Sequence, residues 1–151
     1  MERMNYSEVA PNAFRALLAL SQHVLKSGLE TKLVDLVWLR ASQINGCAYC
    51  IDMHHRDLLA RGDTPERLAL LSVWREEPSF TPRERAALAL AEAATTLGPN
   101  GVPNDVYQTA LETFGEQALV ELTLSIAVIN AWNRMSITFR KAPGHNKPAA
   151  R

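Results

Sequence analysis

The amino-acid sequence predicts an all-α protein in which six to eight helices form a single domain. Apolar residues recur at helical spacing along most of the chain, and no alternating pattern typical of a strand extends beyond a few residues. The chain has 151 residues, which fits one domain at about 100–200 residues per domain. A hydrophobic content of 47% supplies a buried core. We expect the core over residues 13–140 and a frayed tail over 141–151.

Glycines predict where the first helices end, because glycine tolerates the left-handed backbone that follows a helix. Gly28 and Gly62 each come directly after an amphipathic stretch, and the pair Asn45-Gly46 breaks another. The predicted helices span residues 13–27, 30–44, 47–61, 63 to about 74, 81–97, 104–114 and 116–139.

Capping boxes predict the beginnings of two later helices. Asp63-Thr-Pro-Glu66 and Thr81-Pro-Arg-Glu84 both place a capping side chain three residues before a glutamate, and Pro82 suits the first helical position. The last helix contains LVELTLSIAVI, which is apolar nearly all round. It is therefore predicted to be buried on more than one side, in a core or against a partner chain.

Charge and composition argue against several classes of function. Sixteen basic residues balance sixteen acidic ones, whereas nucleic acid or an anionic membrane calls for a basic excess. No apolar run approaches the ~20 residues that cross a bilayer. The first residues lack the pattern of a secretory signal. We expect no nucleic-acid partner, no membrane partner and a cytoplasmic location.

The two cysteines, Cys47 and Cys50, carry the main chemical signal in the sequence. They are too close together to staple a fold, and in a reducing compartment such a pair is more typical of redox or metal chemistry. Their i,i+3 spacing puts them on one helical face. The Asn45-Gly46 break predicts Cys47 in the first turn of a helix, where unpaired N–H groups and the positive dipole end favour a thiolate.

His54 follows Cys50 by four residues on the same helical stripe and could accept a thiol proton. His55 points about 100° further round the helix and is the weaker candidate. Two stacked thiols beside a base suit peroxide reduction, in which a thiolate becomes a sulfenic acid and a second thiol condenses with it. An external dithiol then reduces the disulfide by exchange. The same geometry also serves disulfide exchange without peroxide.

The stretch SQINGCAYC, with His54 four residues after it, resembles the AhpD-like alkylhydroperoxidase core of the carboxymuconolactone decarboxylase family. The similarity extends to WREEPSFTPRERAALALAEAAT and ELTLSIAVINAWNRM, and so covers roughly residues 30–140. It implies an all-α fold that assembles into homotrimers or homohexamers. It also implies a hydroperoxide reductase with no bound cofactor, re-reduced by a thioredoxin-like or lipoyl-type dithiol partner.

By this resemblance Cys50 attacks the peroxide, Cys47 resolves the sulfenic acid into a Cys47–Cys50 disulfide, and His54 is the neighbouring base. The sequence departs from the family pattern at two positions. Asp35 stands where the family's proton relay usually has a glutamate, so its carboxylate is one methylene shorter. Tyr49 stands where some members have a histidine, and a phenol is a poor base at neutral pH. Because the decarboxylase branch does not depend on a CxxC pair, lactone decarboxylation is not expected.

Three alternatives to peroxide reduction remain open from the sequence. A zinc ion could take Cys47, Cys50, His54 and Asp35 as ligands, although CxxC zinc sites usually have a second, distant pair. The chain could instead be a thiol–disulfide oxidoreductase or redox sensor. It could also be a non-catalytic helical assembly protein in which the cysteines are small buried side chains.

Overall fold

The computed structural model describes residues 2–144, and the prediction of an all-α fold is confirmed. An isolated bridge between Gly98 and Gly101 is the only β pairing within this part of the chain. A 3-10 turn over Leu71–Val73 links two of the helices. The helices are α1 (Tyr6–Val9), α2 (Pro11–Leu25), α3 (Thr31–Asn45), α4 (Ala48–Ala60), α5 (Pro65–Ala69), α6 (Pro82–Thr95) and α7 (Asn104–Phe139).

Of the two predicted capping boxes, one forms and one does not. Thr81 accepts the N–H of Glu84, and the Glu84 carboxylate accepts the N–H of Thr81, so α6 begins as predicted. The box predicted from Asp63 is wrong, because Thr64 caps α5 by accepting the N–H of Arg67. The Asp63 carboxylate instead pairs with the Arg67 guanidinium.

Gly115 interrupts α7, where the sequence predicts a break between two helices. Its φ of 76° and ψ of 169° are non-helical, yet the chain resumes as a helix immediately afterwards. This combination of angles is essentially restricted to glycine. The predicted break between two helices is therefore present at Gly115, as a kink with helical residues on both sides. The short helix α1 was not predicted, since only Asn5 marks its beginning, as the N-cap.

Helix α3 is the centre of the core and is buried on all sides over its middle turns. Val34 and Val37 pack into a cluster that also contains the α7 residues Leu122 and Ile126. The opposite face of α3 belongs to a second cluster with α4, α5 and α6. Each such side chain contributes about 1.5–3 kcal/mol when fully buried. Because α3 is fixed in this way, the turn that joins it to α4 is fixed as well.

The second half of α7 is buried along one side and exposed along the other. Leu122 and Ile129 are almost fully buried, whereas the Val120 side of the helix faces outward with Val120 67% exposed. No helix in residues 2–144 covers α7 at Val120, so burial of that side against a partner chain stays a prediction. No helix in the described part is both long and apolar enough to cross a membrane.

The beginning of the predicted tail contacts the rest of the fold. The N–H of Gly144 donates to Oδ2 of Asp52 on α4 at 2.9 Å. The ammonium of Lys141 lies over the rings of Tyr6 and Tyr49, with Nζ 5.3 Å and 4.5 Å from the two ring centroids. Residues 141–144 thus contact α1 and α4, whereas the sequence predicts a frayed tail that begins at residue 141. The remainder of the predicted frayed tail, 145–151, lies outside the described residues.

Candidate active site

The turn between α3 and α4 places the two cysteines. Gly46 has φ 70° and ψ 33°, and its N–H donates to the carbonyl of Gln43. The N–H of Cys47 donates to the carbonyl of Ser42, which completes a Schellman turn. Cys47 is consequently the N-cap residue of α4 and not part of its first turn. The sulfur still lies beside the unpaired N–H groups at the beginning of the helix.

Both cysteines are free thiols and both are buried, with 1% exposure each. Cys50 Sγ lies 3.9 Å from Oγ of Ser136 on α7. Hydrogen bonding from the Asn133 side chain lowers the pKa of both cysteines. The Nδ2 atom of Asn133 also donates to Oγ of Ser42 at 2.9 Å. The thiol pair is therefore enclosed between the beginning of α4 and the polar side of α7.

The two thiols share one proton. Hydrogen bonding from the Cys50 side chain lowers the pKa of Cys47 to about 7, against the opposing effect of burial and with further help from the Cys50 N–H, Asn133 and Ser136. The pKa of Cys50 is raised, because its proton is held by Cys47, its sulfur is buried and the neighbouring charge repels a second one. These directions make Cys47 the sulfur that ionises more readily. The thiolate that the resemblance assigns to Cys50 forms only when Cys50 gives up the shared proton.

His54 is brought together with Asp35, as the sequence predicts, and with a second carboxylate. Its Nδ1 atom lies 3.7 Å from Oδ1 of Asp35 and 3.9 Å from Oδ2 of Asp57. The imidazole is 2% exposed, and its ring centroid lies 5.1 Å from that of Trp38. Neither ring nitrogen of His54 makes a hydrogen bond within residues 2–144, and so neither is hydrogen-bonded to Cys50. The carboxylates are thus near enough to stabilise a charged imidazolium electrostatically, but too distant for hydrogen bonds.

Asp35 also forms an ion pair that the sequence did not indicate. Its Oδ2 accepts from Nε of Arg61, at the end of α4, at 2.6 Å. Asp35 is 3% exposed, so the pair is largely shielded from water. Arg61 therefore fixes the carboxylate that faces His54. Asp57 was also missed, although its i,i+3 spacing from His54 could have identified it.

Asp35, His54 and Asp57 could together hold a metal ion, since their ligand atoms lie within 4.8 Å of one another. The cysteine sulfurs do not belong to this group. In the described part of the chain, the zinc arrangement that combines Cys47 and Cys50 with His54 and Asp35 is therefore not assembled. The guanidinium of Arg61 on Asp35 also opposes a further cation there.

A cavity of about 220 Å³ opens onto Cys50 and His54. Cys50 and His54 both line it, whereas Cys47 does not. Most of its surface is apolar and aromatic, and Lys141 is the only Lys, Arg, Asp or Glu residue among the lining residues. The other lining residues are Tyr6, Phe14, Leu18, Ser21, Trp38, Tyr49, Met53, Trp132 and Ser136.

The helical fold and the enclosed CxxC pair are those of an AhpD-like protein. Residues 11–93, which include the cysteines and His54, match the carboxymuconolactone decarboxylase family, and the chain belongs to that family. The resemblance stated from the sequence is thereby confirmed at the level of family and fold.

Similar proteins support the same assignment. The chain is 37% identical over 136 residues to the uncharacterized protein YdfG of Bacillus subtilis, covering 90% of this chain and 92% of YdfG. A crystal structure from Agrobacterium tumefaciens superimposes with a TM-score of 0.92 at 40% identity, covering 97% of this chain and 100% of that one. That protein is of unknown function, with a suggested role in antioxidant defence as AhpD.

A more distant likeness extends the fold comparison. An uncharacterized peroxidase-related protein from Ralstonia eutropha, with an alkylhydroperoxidase AhpD core, superimposes with a TM-score of 0.81. It is 22% identical, and the match covers 92% of this chain and 74% of that one. At this identity the likeness supports the fold alone.

Proposed function

We propose that the protein is a thiol-dependent hydroperoxide reductase of the AhpD type. The observation that carries the proposal is that Cys50 lines a cavity together with His54, while Cys47, which does not line it, is hydrogen-bonded to Cys50. Substrate in the cavity would meet one sulfur, and the second sulfur would be ready to form a disulfide. A merely structural pair of buried cysteines needs neither a cavity nor an adjacent imidazole.

In the first step Cys50 attacks the terminal oxygen of a hydroperoxide bound in the cavity. The S–O bond forms as the O–O bond breaks, which gives a sulfenic acid on Cys50 and releases an alcohol. The thiol proton leaves Cys50 for the Cys47 thiolate or for His54 and reaches the alkoxide leaving group. The lowered pKa of Cys47 makes its thiolate available to accept that proton.

In the second step Cys47 attacks the sulfenic sulfur of Cys50. A Cys47–Cys50 disulfide forms and hydroxide leaves, which becomes water on taking up a proton. A thioredoxin-like or lipoyl-type dithiol then returns the two electrons by exchange. No bound cofactor is required, since the sulfurs carry both electrons. Assembly into homotrimers or homohexamers, as in related proteins of this type, is part of the same proposal.

His54 and Asp35 supply the proton route in this proposal. His54 shares the cavity wall with Cys50, so a proton can pass between them through the cavity. Once protonated, the imidazolium faces the carboxylates of Asp35 and Asp57. Asp35 acts as a positioning residue, because Arg61 fixes its second oxygen.

Stopped-flow consumption of cumene hydroperoxide by the pre-reduced protein tests this function. We expect one intramolecular disulfide per chain in the wild type, no reaction in Cys50→Ser, and a dimedone-trappable sulfenic acid in Cys47→Ser. Ala48→Ser, between the two cysteines and exposed, is the matched control and should react as the wild type does.

Two outcomes would replace the proposal by one of its alternatives. Thiols that ignore hydroperoxide but exchange rapidly with a small disulfide would identify a thiol–disulfide oxidoreductase or redox sensor. Thiols that react with neither would leave a non-catalytic assembly protein.

A further inference from the structure

Lys141 is a cation at the cavity that has no anionic partner within residues 2–144. It lies outside the helices, three residues from the end of the described chain, and it is partly buried. Among residues 2–144, no carboxylate lies within 4.0 Å of its Nζ atom; the contacts it makes are with the rings of Tyr6 and Tyr49. Every other lining residue is uncharged or, in the case of Cys50 and His54, belongs to the reactive group.

The ammonium is held in its charged form despite its partial burial. Burial alone would lower the pKa of Lys141, but the phenol oxygens of Tyr6 and Tyr49 outweigh burial and raise it. A partly buried charge is costly unless it is paired. A ligand that brings a negative group to this position would therefore gain a charge-assisted contact at little further desolvation cost.

The remaining walls specify the rest of the ligand. Phe14, Trp38 and Trp132 present aromatic surface, and Phe14 and Trp132 pack edge to face with centroids 5.6 Å apart. A volume of about 220 Å³ exceeds the ~150 Å³ that holds a benzene molecule in an engineered cavity of another protein. There is room for one ring or a short branched chain with small substituents, and little polar surface to hold a sugar or peptide.

We infer that the substrate is a small apolar, preferably aromatic, organic hydroperoxide that carries a carboxylate, with the carboxylate on Lys141 and the hydroperoxide toward Cys50. This inference rests on the proposed reductase function and narrows its substrate class. It assigns recognition of the anionic group to Lys141 and the chemistry to Cys50. Hydrogen peroxide, which would leave the cavity walls and Lys141 unused, is expected to be a poor substrate.

The test compares cumene hydroperoxide with its para-carboxylated analogue, so that the two substrates differ only in the anionic group. We expect the wild type to favour the carboxylated hydroperoxide by at least tenfold in kcat/KM. Lys141→Met should abolish that preference, and Lys141→Arg should retain most of it. Lys26→Met is the matched control, because Lys26 is exposed and does not line the cavity, and it should keep the wild-type ratio.

A binding measurement separates this inference from the proposed function. Binding of 4-isopropylbenzoate should quench the fluorescence of Trp38 and Trp132, whereas 4-isopropylbenzyl alcohol should cause no quenching. In Lys141→Met the two compounds should no longer differ in binding. Lys141-dependent binding without turnover of any hydroperoxide would overturn the reductase function but not the ligand class. Turnover of both hydroperoxides with equal efficiency, or a preference that survives in Lys141→Met, would overturn the ligand class and leave the function standing.

Discussion

The Nδ1 atom of His54 lies 3.7 Å from Oδ1 of Asp35, and the other oxygen of that carboxylate accepts from Nε of Arg61 at 2.6 Å. The Asp35 carboxylate thus lies between the guanidinium of Arg61 and the imidazole of His54. Arg61 fixes the orientation of the carboxylate that faces the imidazole. A gap of 3.7 Å separates Asp35 from His54 in place of a hydrogen bond.

Replacement of Asp35 by Asn should lower hydroperoxide kcat/KM by about tenfold or more, within the range attributed to general acid–base groups. The exposed Asp105→Asn is the control and should keep the wild-type rate. Asp35→Glu should restore most of the rate, because it restores a carboxylate beside the imidazole. A rate that stays low in Asp35→Glu would show that Asp35 only supports the fold.

The shared proton of the thiol pair predicts a specific titration. Absorbance at 240 nm of the reduced protein should show a single thiolate forming with a midpoint near pH 7, the value to which the pKa of Cys47 is lowered. The second thiol should remain protonated well into the alkaline range, because the pKa of Cys50 is raised.

In Cys50→Ala the midpoint should move upward, because the S–H donor that stabilises the Cys47 thiolate is gone. Ala48→Ser should titrate as the wild type does. A lower midpoint in Cys50→Ala would contradict the assignment of the resting charge to Cys47.

The part of the site that sequence could predict depends on local geometry. Cys47, Cys50 and His54 follow from the i,i+3 and i,i+4 spacing of one helix and from the break at Gly46, which needs no knowledge of the tertiary fold. Asp35 came from the resemblance, and the structure brings it to His54 because α3 and α4 are consecutive and packed together.

The features that sequence missed depend on contacts between distant parts of the chain. Lys141 reaches the cavity only because Tyr6 and Tyr49, from α1 and α4, hold it there, and its own neighbourhood in the sequence resembles a frayed end. The charge on Cys47 depends on the relative placement of two sulfurs and on Asn133 of α7. Spacing identifies which residues share a face but not which of them holds the proton.

Asn133 connects α3 to α7 beneath the thiol pair and should be important for stability. It is fully buried, its Nδ2 donates to Oγ of Ser42 at 2.9 Å, and its Oδ1 accepts from Nδ2 of Asn45 at 2.8 Å. Asn133→Ala leaves the Ser42 hydroxyl without this donor, whereas Asn45 Nδ2 still donates to Oδ1 of Asn130 at 2.9 Å. We therefore expect a cost of about 1–3 kcal/mol of unfolding free energy, the cost of one group left unsatisfied.

Urea denaturation monitored by circular dichroism measures this cost. Gln108→Ala, which removes an exposed side-chain amide from the same helix, should change stability by no more than about 0.5 kcal/mol. An equal effect of the two substitutions would mean that the Asn133 hydrogen bonds contribute nothing net to folding.

Gly46 and Gly115 offer a comparison in which only backbone strain differs. A Cβ atom added at either position meets no atom within 4 Å, so steric contact with neighbours contributes to neither substitution. Gly46 has φ 70° and ψ 33°, in the left-handed helical region that asparagine tolerates, whereas Gly115 has φ 76° and ψ 169°, in a region essentially restricted to glycine. We therefore expect Gly46→Asn to cost about 1 kcal/mol or less and Gly115→Asn about 2–3 kcal/mol of unfolding free energy, measured by urea denaturation.

Because the Schellman turn at Gly46 survives, the protein with Gly46→Asn should also retain its thiol titration near pH 7. Equal costs at the two glycines would show that the kink in α7 relaxes freely, and that the backbone at Gly115 is not what directs the second half of α7 into the core.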